Sequence, residues 1–192
     1  MKVAMLHWAF PPTIGGVESH LAMLCPALVR KGHRVYLLTG AVDGKVSEEM
    51  WDGVFVRRTP LMDLNSLTPA LIRRYRSEIR EELAKFIVAV NPDVIHVHNM
   101  HYFSLVHAEA VIEVKNRDKI PVILTAHNVW DDANWEEFLS IRHEWDGVIA
   151  VSGYIKEKLA ASGYLAEKIA VIHHGIDVVR FNNVRPNEEV LR

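Results

Sequence analysis

Chemistry in this chain concentrates in one pair of glycines and in a set of histidines. Gly15 and Gly16 lie in the run Pro11-Pro12-Thr13-Ile14-Gly15-Gly16-Val17-Glu18, after an apolar segment, Val3-Ala4-Met5-Leu6. An apolar-periodic segment begins at Val17, so the order is strand, glycine loop, helix. Glycines without side chains let another molecule approach the main chain, and a helix N-terminus carries roughly +0.5 of a charge. The expected guest is an anion, a phosphate above all. Each hydrogen bond to such a charged group adds roughly 1.5–3 kcal/mol. The alternative is that the glycines only permit tight strand–helix packing. Glu18, in the first helical turn, stabilises the dipole whether or not it touches a ligand.

The chain holds 11 histidines. His127 follows the apolar run Val122–Ala126, and its imidazole can donate to a sugar hydroxyl or a phosphate. The alternative is a histidine satisfied by a local carbonyl. His96, His98 and His101 read His-x-His-x-x-His, and strand alternation puts His96 and His98 on one face. With His127, Asp131 and Asp132 such imidazoles could bind zinc, as in a metallohydrolase. Trp130 and Trp135 flank Asp131-Asp132 on an expected loop, an arrangement that suits either carbohydrate stacking or anchoring of the loop on the core. Arg73, Arg74, Arg76 and Arg80 share the long helix with Glu78, Glu81 and Glu82. They read as a solvated, ion-paired face, with docking of anionic lipid head groups as the alternative. Lys156 and Lys158 also read as a solvated face, and His173 and His174 as shaping a turn with Gly175.

These residues need a frame, and the apolar patterning supplies one. Strands are predicted at Val3–His7, Val35–Thr39, Val54–Arg57, Val94–His98, Val122–Ala126, Val148–Val151 and Ile169–Ile172. Helical periodicity fills most gaps: Val17, Leu21, Leu24 and Leu28 share one face, with Gly32 as the stop and Pro26 expected to kink or shorten the helix. The longest helix is predicted from Thr68 to Val90, burying Ile72, Tyr75, Ile79, Leu83, Phe86 and Val90, with Pro69 at its first position. Others are predicted at Phe103–Lys115, Asn134–Glu144 and Gly153–Ser162, the last capped by Ser152 and stopped by Gly163. Gly40–Asp52 is expected to be a polar loop. Apolar strands alternating with helices imply an α/β, Rossmann-like, doubly wound fold: three α/β/α layers and a mostly parallel sheet of about seven strands. Ligands of such folds gather at the carboxyl ends of strands, where His7, His98-Asn99, His127-Asn128 and Ser152 fall.

Composition adds limits. The 192 residues are most simply one domain, enough to bury roughly 70% of the unfolded surface. A net charge of −2 gives no general attraction to nucleic acid or anionic membranes. Cys25 is the single cysteine, so no internal disulfide forms, and it is expected in the core. No signal peptide and no apolar stretch of the ~20 residues needed to span a bilayer are read. A cytoplasmic protein, at most peripheral to a membrane, is expected.

Taken in order, these segments resemble the amino-terminal half of family-4 glycosyltransferases of GT-B architecture. The resemblance rests on Pro12-Thr13-Ile14-Gly15-Gly16-Val17-Glu18, Leu28-Val29-Arg30-Lys31-Gly32-His33-Arg34-Val35 and Pro92-Asp93-Val94-Ile95-His96-Val97-His98. It continues through Thr125-Ala126-His127-Asn128, Asp146-Gly147-Val148-Ile149-Ala150-Val151-Ser152 and Val171-Ile172-His173-His174-Gly175-Ile176-Asp177, with Phe181 beyond. Each segment is weak alone; the order and spacing make the match specific.

The resemblance implies transfer of a sugar from a nucleotide-sugar donor with retention of configuration, without metal or other cofactor. It would place Gly15 and Gly16 against the donor diphosphate and His127 by the donor sugar. His98, Asn99 and Asn128 would lie on the acceptor side, facing a sugar or lipid acceptor. His174, Gly175 and Asp177 would lead into an interdomain hinge. It implies residues 1–180 as an acceptor-side domain and residues 181–192 as linker or tail. A nucleotide-binding domain carrying a pair of glutamates would be supplied in cis or by a partner chain, and Glu188-Glu189 does not replace that pair. Such a chain is expected to be inactive alone. A stand-alone phosphate- or sugar-binding module is the competing expectation, with the His-x-His metallohydrolase a third.

Overall fold

The computed structural model describes residues 1–102, 104–130, 132 and 135–178. Its centre is β1 (Lys2–Leu6), four of whose five residues are buried. Side chains alternate along it. Val3 and Met5 enter one core with Leu21 and Cys25 of α1 (Gly16–Arg30), while Ala4 and Leu6 enter the other with Ile79 and Leu83 of α3 (Arg76–Val90). Period-two alternation thus feeds two helical layers from one strand, which is why the run reads as continuously apolar.

β1 pairs in parallel with β2 (Arg34–Gly40) on one side and with β5 (Val94–His98) on the other. The sheet order is β3-β4-β2-β1-β5-β6-β7-β8, with β3 at Ser47–Trp51, β4 at Val54–Thr59 and β6 at Val122–Ala126. β7 is Gly147–Ala150 and β8 Ile169–Val171. Every pairing is parallel except β3 with β4. Strand order therefore reverses between β1 and β5, which opens a crevice at their carboxyl ends. The fold is the α/β, Rossmann-like, doubly wound one that the patterning implies, with eight strands.

The extra strand is β3, inside the segment expected to be a loop. Its sequence, Ser-Glu-Glu-Met-Trp, lacks alternation and is largely exposed. Pairing is set from outside: Glu48 and Glu49 reach Arg57 and Arg58 at 2.6 and 2.9 Å. Asp52 and Gly53, at φ 47° and 81°, make the two-residue turn that joins β3 to β4. Asp-Gly is a hairpin signal.

The predicted helix from Thr68 to Val90 is broken at Tyr75 into α2 (Pro69–Arg74) and α3. Ile79, Leu83, Phe86 and Val90 of the predicted stripe are buried in α3, whereas α2 buries none of its residues. Pro26 does not shorten α1, which runs through it to Arg30. α4 spans Leu105–Asp118, past the predicted end; Phe103 lies outside the described residues. The predicted helix at 134–144 shrinks to α5 (Trp135–Phe138) and one 3-10 turn, Leu139–Ile141, with Asn134 undescribed. α6 (Gly153–Ala161) is capped as expected, the Ser152 hydroxyl accepting from the Ile155 amide at 3.2 Å. The segment 181–192, with Phe181, Pro186 and Glu188-Glu189, lies outside the described residues.

The Asp52-Gly53 turn gives a direct test. A β-carbon at residue 53 would lie 2.9 Å from Val29 Cγ1 on a left-handed backbone. Gly53→Ala is expected to cost about 1–2 kcal/mol in urea unfolding.

Candidate functional site

His7 follows β1 directly, at the point where strand order reverses, and is 1% exposed. Its Nδ1 lies 3.2 Å from the His98 carbonyl, and its Nε2 lies 3.3 Å from Glu18 Oε1. Both partners are acceptors when the carboxylate is ionised, and each lies within hydrogen-bond reach of one ring nitrogen. Burial pushes the Glu18 carboxyl up. The His7 hydrogen bond, the residue's own amide and the charge of His7 outweigh this and hold it below the usual value. Glu18 is therefore a buried member of the site, beyond the dipole role its position implied.

The glycine pair divides in two. Gly15 is the extended residue before α1, and the Glu18 carboxylate lies against it where a β-carbon would overlap. Gly15 is thus accounted for by packing of this chain's own acid. At Gly16 a β-carbon would meet nothing within 4 Å, so this edge of the helix N-terminus is open. The loop before it is held by Arg58, 6% exposed, which donates to the Pro11 carbonyl at 2.6 Å. Sequence patterning gave no sign of Arg58.

Beside the loop, imidazoles assemble. His98 Nδ1 lies 2.8 Å from His127 Nε2, and His127 Nδ1 lies 2.9 Å from His174 Nε2. His20 of α1 stacks on His174 at 4.1 Å between ring centres, and His96 sits on His98 at 4.4 Å. Asn99 adopts φ 53°, and its side-chain oxygen accepts from the His127 amide at 2.8 Å. It thereby ties the end of β5 to the end of β6. The structure therefore brings His98, Asn99, His127 and His174 into one cluster. His174 reaches inward from the segment expected to be a hinge. Asn128 is exposed; its carbonyl faces His101 Nε2 at 3.1 Å. Gly175 and Asp177 line an open groove of about 520 Å³ with His20, Met23 and Arg30 of α1. On the other side, His98 and Asn99 border a cavity of about 20 Å³ with Trp8, Met62 and His107, room for one water.

Burial, reinforced by neighbouring imidazoles, keeps the cluster uncharged. It pushes His127 down to about 2, His20 and His96 to about 4, and His98 well below its ordinary value. His101 is also held at about 4 by burial, although its bond to Asn128 works the other way. The His-x-His-x-x-His run does not converge: His96 Nε2 faces Thr125 Oγ1 at 2.7 Å, and His101 packs between Trp130 and Trp135. Among the described residues no group of histidine, cysteine and carboxylate side chains is placed to hold a metal; Asp131 lies outside them.

Two other expectations resolve. Trp135 is buried, with Nε1 3.3 Å from Ser162 Oγ, so it anchors its loop; Trp130 stacks on Tyr102 at 3.9 Å. Two of the four arginines pair across helices: Arg76 and Arg80 bind Glu109, and Arg80 also Glu113, both acids on α4. Of the acids expected beside them, Glu81 pairs with Lys85 and Glu82 with Arg57.

Two experiments follow from this geometry. Gly15→Ala is expected to displace the Glu18 carboxylate from His7 and cost about 1–3 kcal/mol, whereas Gly16→Ala stays within about 0.5 kcal/mol in urea unfolding. For His20, His96, His98, His101 and His127, folded values lie below the unfolded value of about 6.5. The unfolded chain then binds more protons, so stability is full above that pH and is lost as pH falls. Between about pH 5.5 and pH 4, His98 and His101 alone give a loss of roughly 3 kcal/mol per pH unit, measurable as falling Tm.

Comparison with known proteins places this geometry. An uncharacterized glycosyltransferase of Methanocaldococcus jannaschii, MJ1607, is 36% identical over 101 residues, which are 52% of this chain and 25% of that protein. The catalytic domain of Arabidopsis thaliana Starch Synthase IV, bound to ADP and acarbose, superposes with TM-score 0.66 at 15% identity. That match covers 94% of this chain and 52% of the synthase chain. Anabaena Alr3699/HepE, in complex with UDP and glucose, superposes with TM-score 0.60 at 15% identity, covering 93% and 46%. The chain thus spans a quarter to about half of these proteins. At such identities the superpositions speak for the fold, that of the GT-B enzymes. Among the described residues no helix is long and apolar enough to cross a membrane. The Glycosyltransferase Family 4 profile matches residues 14–180, from the glycine loop through every strand after β1 and past the His174 segment, and the chain belongs to that family.

Proposed function

We propose that this chain is the amino-terminal, acceptor-side domain of a retaining glycosyltransferase that uses a nucleotide-sugar donor. The observation that carries this reading is the open Gly16 edge of α1 beside the imidazole cluster, both at the reversal between β1 and β5. Glycosyl transfer builds positive charge on the sugar and negative charge on the departing phosphate. Amides aimed at that phosphate act more strongly in the transition state than before it. Gly16 and the first turn of α1 would meet the leaving diphosphate, with no metal ion needed to take up its charge. Gly15 contributes by making room for Glu18. His127 would face the donor sugar, His98, Asn99 and Asn128 the acceptor side, where a sugar or lipid acceptor would bind. His174, Gly175 and Asp177 would lead toward a second, nucleotide-binding domain, supplied in cis or by a partner chain. The bound UDP and glucose of HepE, and the ADP and acarbose of Starch Synthase IV, lend the reading its donor class.

The test mixes this chain with a separately produced nucleotide-binding domain of a family member and follows release of nucleoside diphosphate from a panel of donors. Transfer is expected only on mixing. His127→Ala is expected to lower it by far more than it lowers Tm, and Gly16→Trp to weaken donor binding while the fold persists. Transfer by the chain alone, or donor binding untouched by Gly16→Trp, would contradict the assignment. Donor binding that persists with no transfer under any pairing would favour a binding module without catalysis.

A further inference from the structure

His98, His127 and His174 come from the end of β5, the turn after β6 and the segment after β8, and their ring nitrogens meet end to end. The inner end of this row is not another nitrogen. His98 Nε2 lies 3.1 Å from the sulfur of Met5, in β1, and both residues are shut from solvent at 2% and 0% exposure. A thioether accepts weakly and cannot donate. The contact is a hydrogen bond only if His98 carries its proton on Nε2. The opposite choice would turn a nitrogen lone pair onto a sulfur lone pair where solvent cannot compensate.

One assignment then forces the next. A neutral imidazole holds one proton, so His98 Nδ1 is a lone pair and His127 must donate to it from Nε2. His127 Nδ1 is then also a lone pair, and His174 must donate from its Nε2. Neutrality follows from the surroundings: the groups facing the row are His7 with Glu18, His20, His96 and His101. Added charge on any of these imidazoles would repel charge in the row, and burial already disfavours it.

We propose that these imidazoles are one proton-ordered chain fixed by the Met5 sulfur, an order that turns the lone pair of His127 Nδ1 toward His174. His174 stands where a ligand group would bind to His127. If the function proposed above is right, whatever replaces it must bring a hydrogen. A sugar hydroxyl meets that demand, and an ionised phosphate oxygen does not. His127 is thereby committed to the sugar, and the phosphate is left to Gly16.

The order is visible without any turnover. The chain labelled with 15N-histidine, at neutral pH, is read by two-bond 1H–15N correlation, which shows which ring nitrogen of each histidine is protonated. The expected result is a proton on Nε2 and none on Nδ1 in all three residues. Met5→Leu, which keeps the volume but removes the acceptor, is expected to let a form with the proton on Nδ1 appear at His127, a residue Met5 does not bond. His174→Asn and His174→Phe are both expected to preserve the His127 pattern, because the order is set from the Met5 end; loss of the pattern in a folded His174→Phe chain would overturn that direction. A proton on Nδ1 of His98 or His127 in the unaltered chain would overturn the proposal, as would a folded Met5→Leu chain with the pattern unchanged. Should Met5→Leu fail to fold, the unaltered chain alone decides. Failure of sugar transfer would leave this proton order standing, so the two readings fall separately.

Discussion

The β1–β5 pairing is the constraint on which the site depends. Strands run outward from this pair in opposite directions, so the connections leave the carboxyl ends of β1 and β5 uncovered. His7 at the end of one strand and His98 at the end of the other are drawn together by the bond from His7 Nδ1 to the His98 carbonyl. From His7 the link passes to Glu18 and the first turn of α1; from His98 it passes to His127 and His174. Polar side chains this deeply buried are tolerated because each finds a partner, and the partners come from both sides of the reversal.

On the proposed function, the same arrangement would sort the two halves of a sugar nucleotide by chemistry. One half is an edge of bare backbone at Gly16 with a helix end behind it, suited to an anion. The other is a row of uncharged imidazoles, suited to hydroxyl groups. A carboxylate, Glu18, stands between them and closes the Gly15 side. Without that acid the glycine pair would present one broad anion cradle. With it, the open place is narrowed to Gly16.

Much of this was legible in the sequence, for identifiable reasons. Strands β5 and β6 fall where apolar runs begin and end, because strands buried on both faces leave little choice of residue. β3 escaped because an edge strand is held by its neighbour's arginines and needs no apolar pattern of its own. The break at Tyr75 has no signal in the residues around it. At the site, strand-end position singled out His98 and His127, which the structure places side by side. It could not show that Glu18 folds back onto Gly15, or that His174 turns in from a distant segment, because both depend on contacts across the fold. A glutamate three residues after Gly15, at the third helical position, was the available hint.

The central claim is that the Gly16 edge of α1 takes a phosphate. It is tested most directly by adding inorganic pyrophosphate to the 15N-labelled chain and following backbone amides. The account predicts saturable shifts centred on Gly16 and Val17 that weaken as salt is raised. Shifts confined to other parts of the chain, or no saturable shift at these two amides, would contradict it.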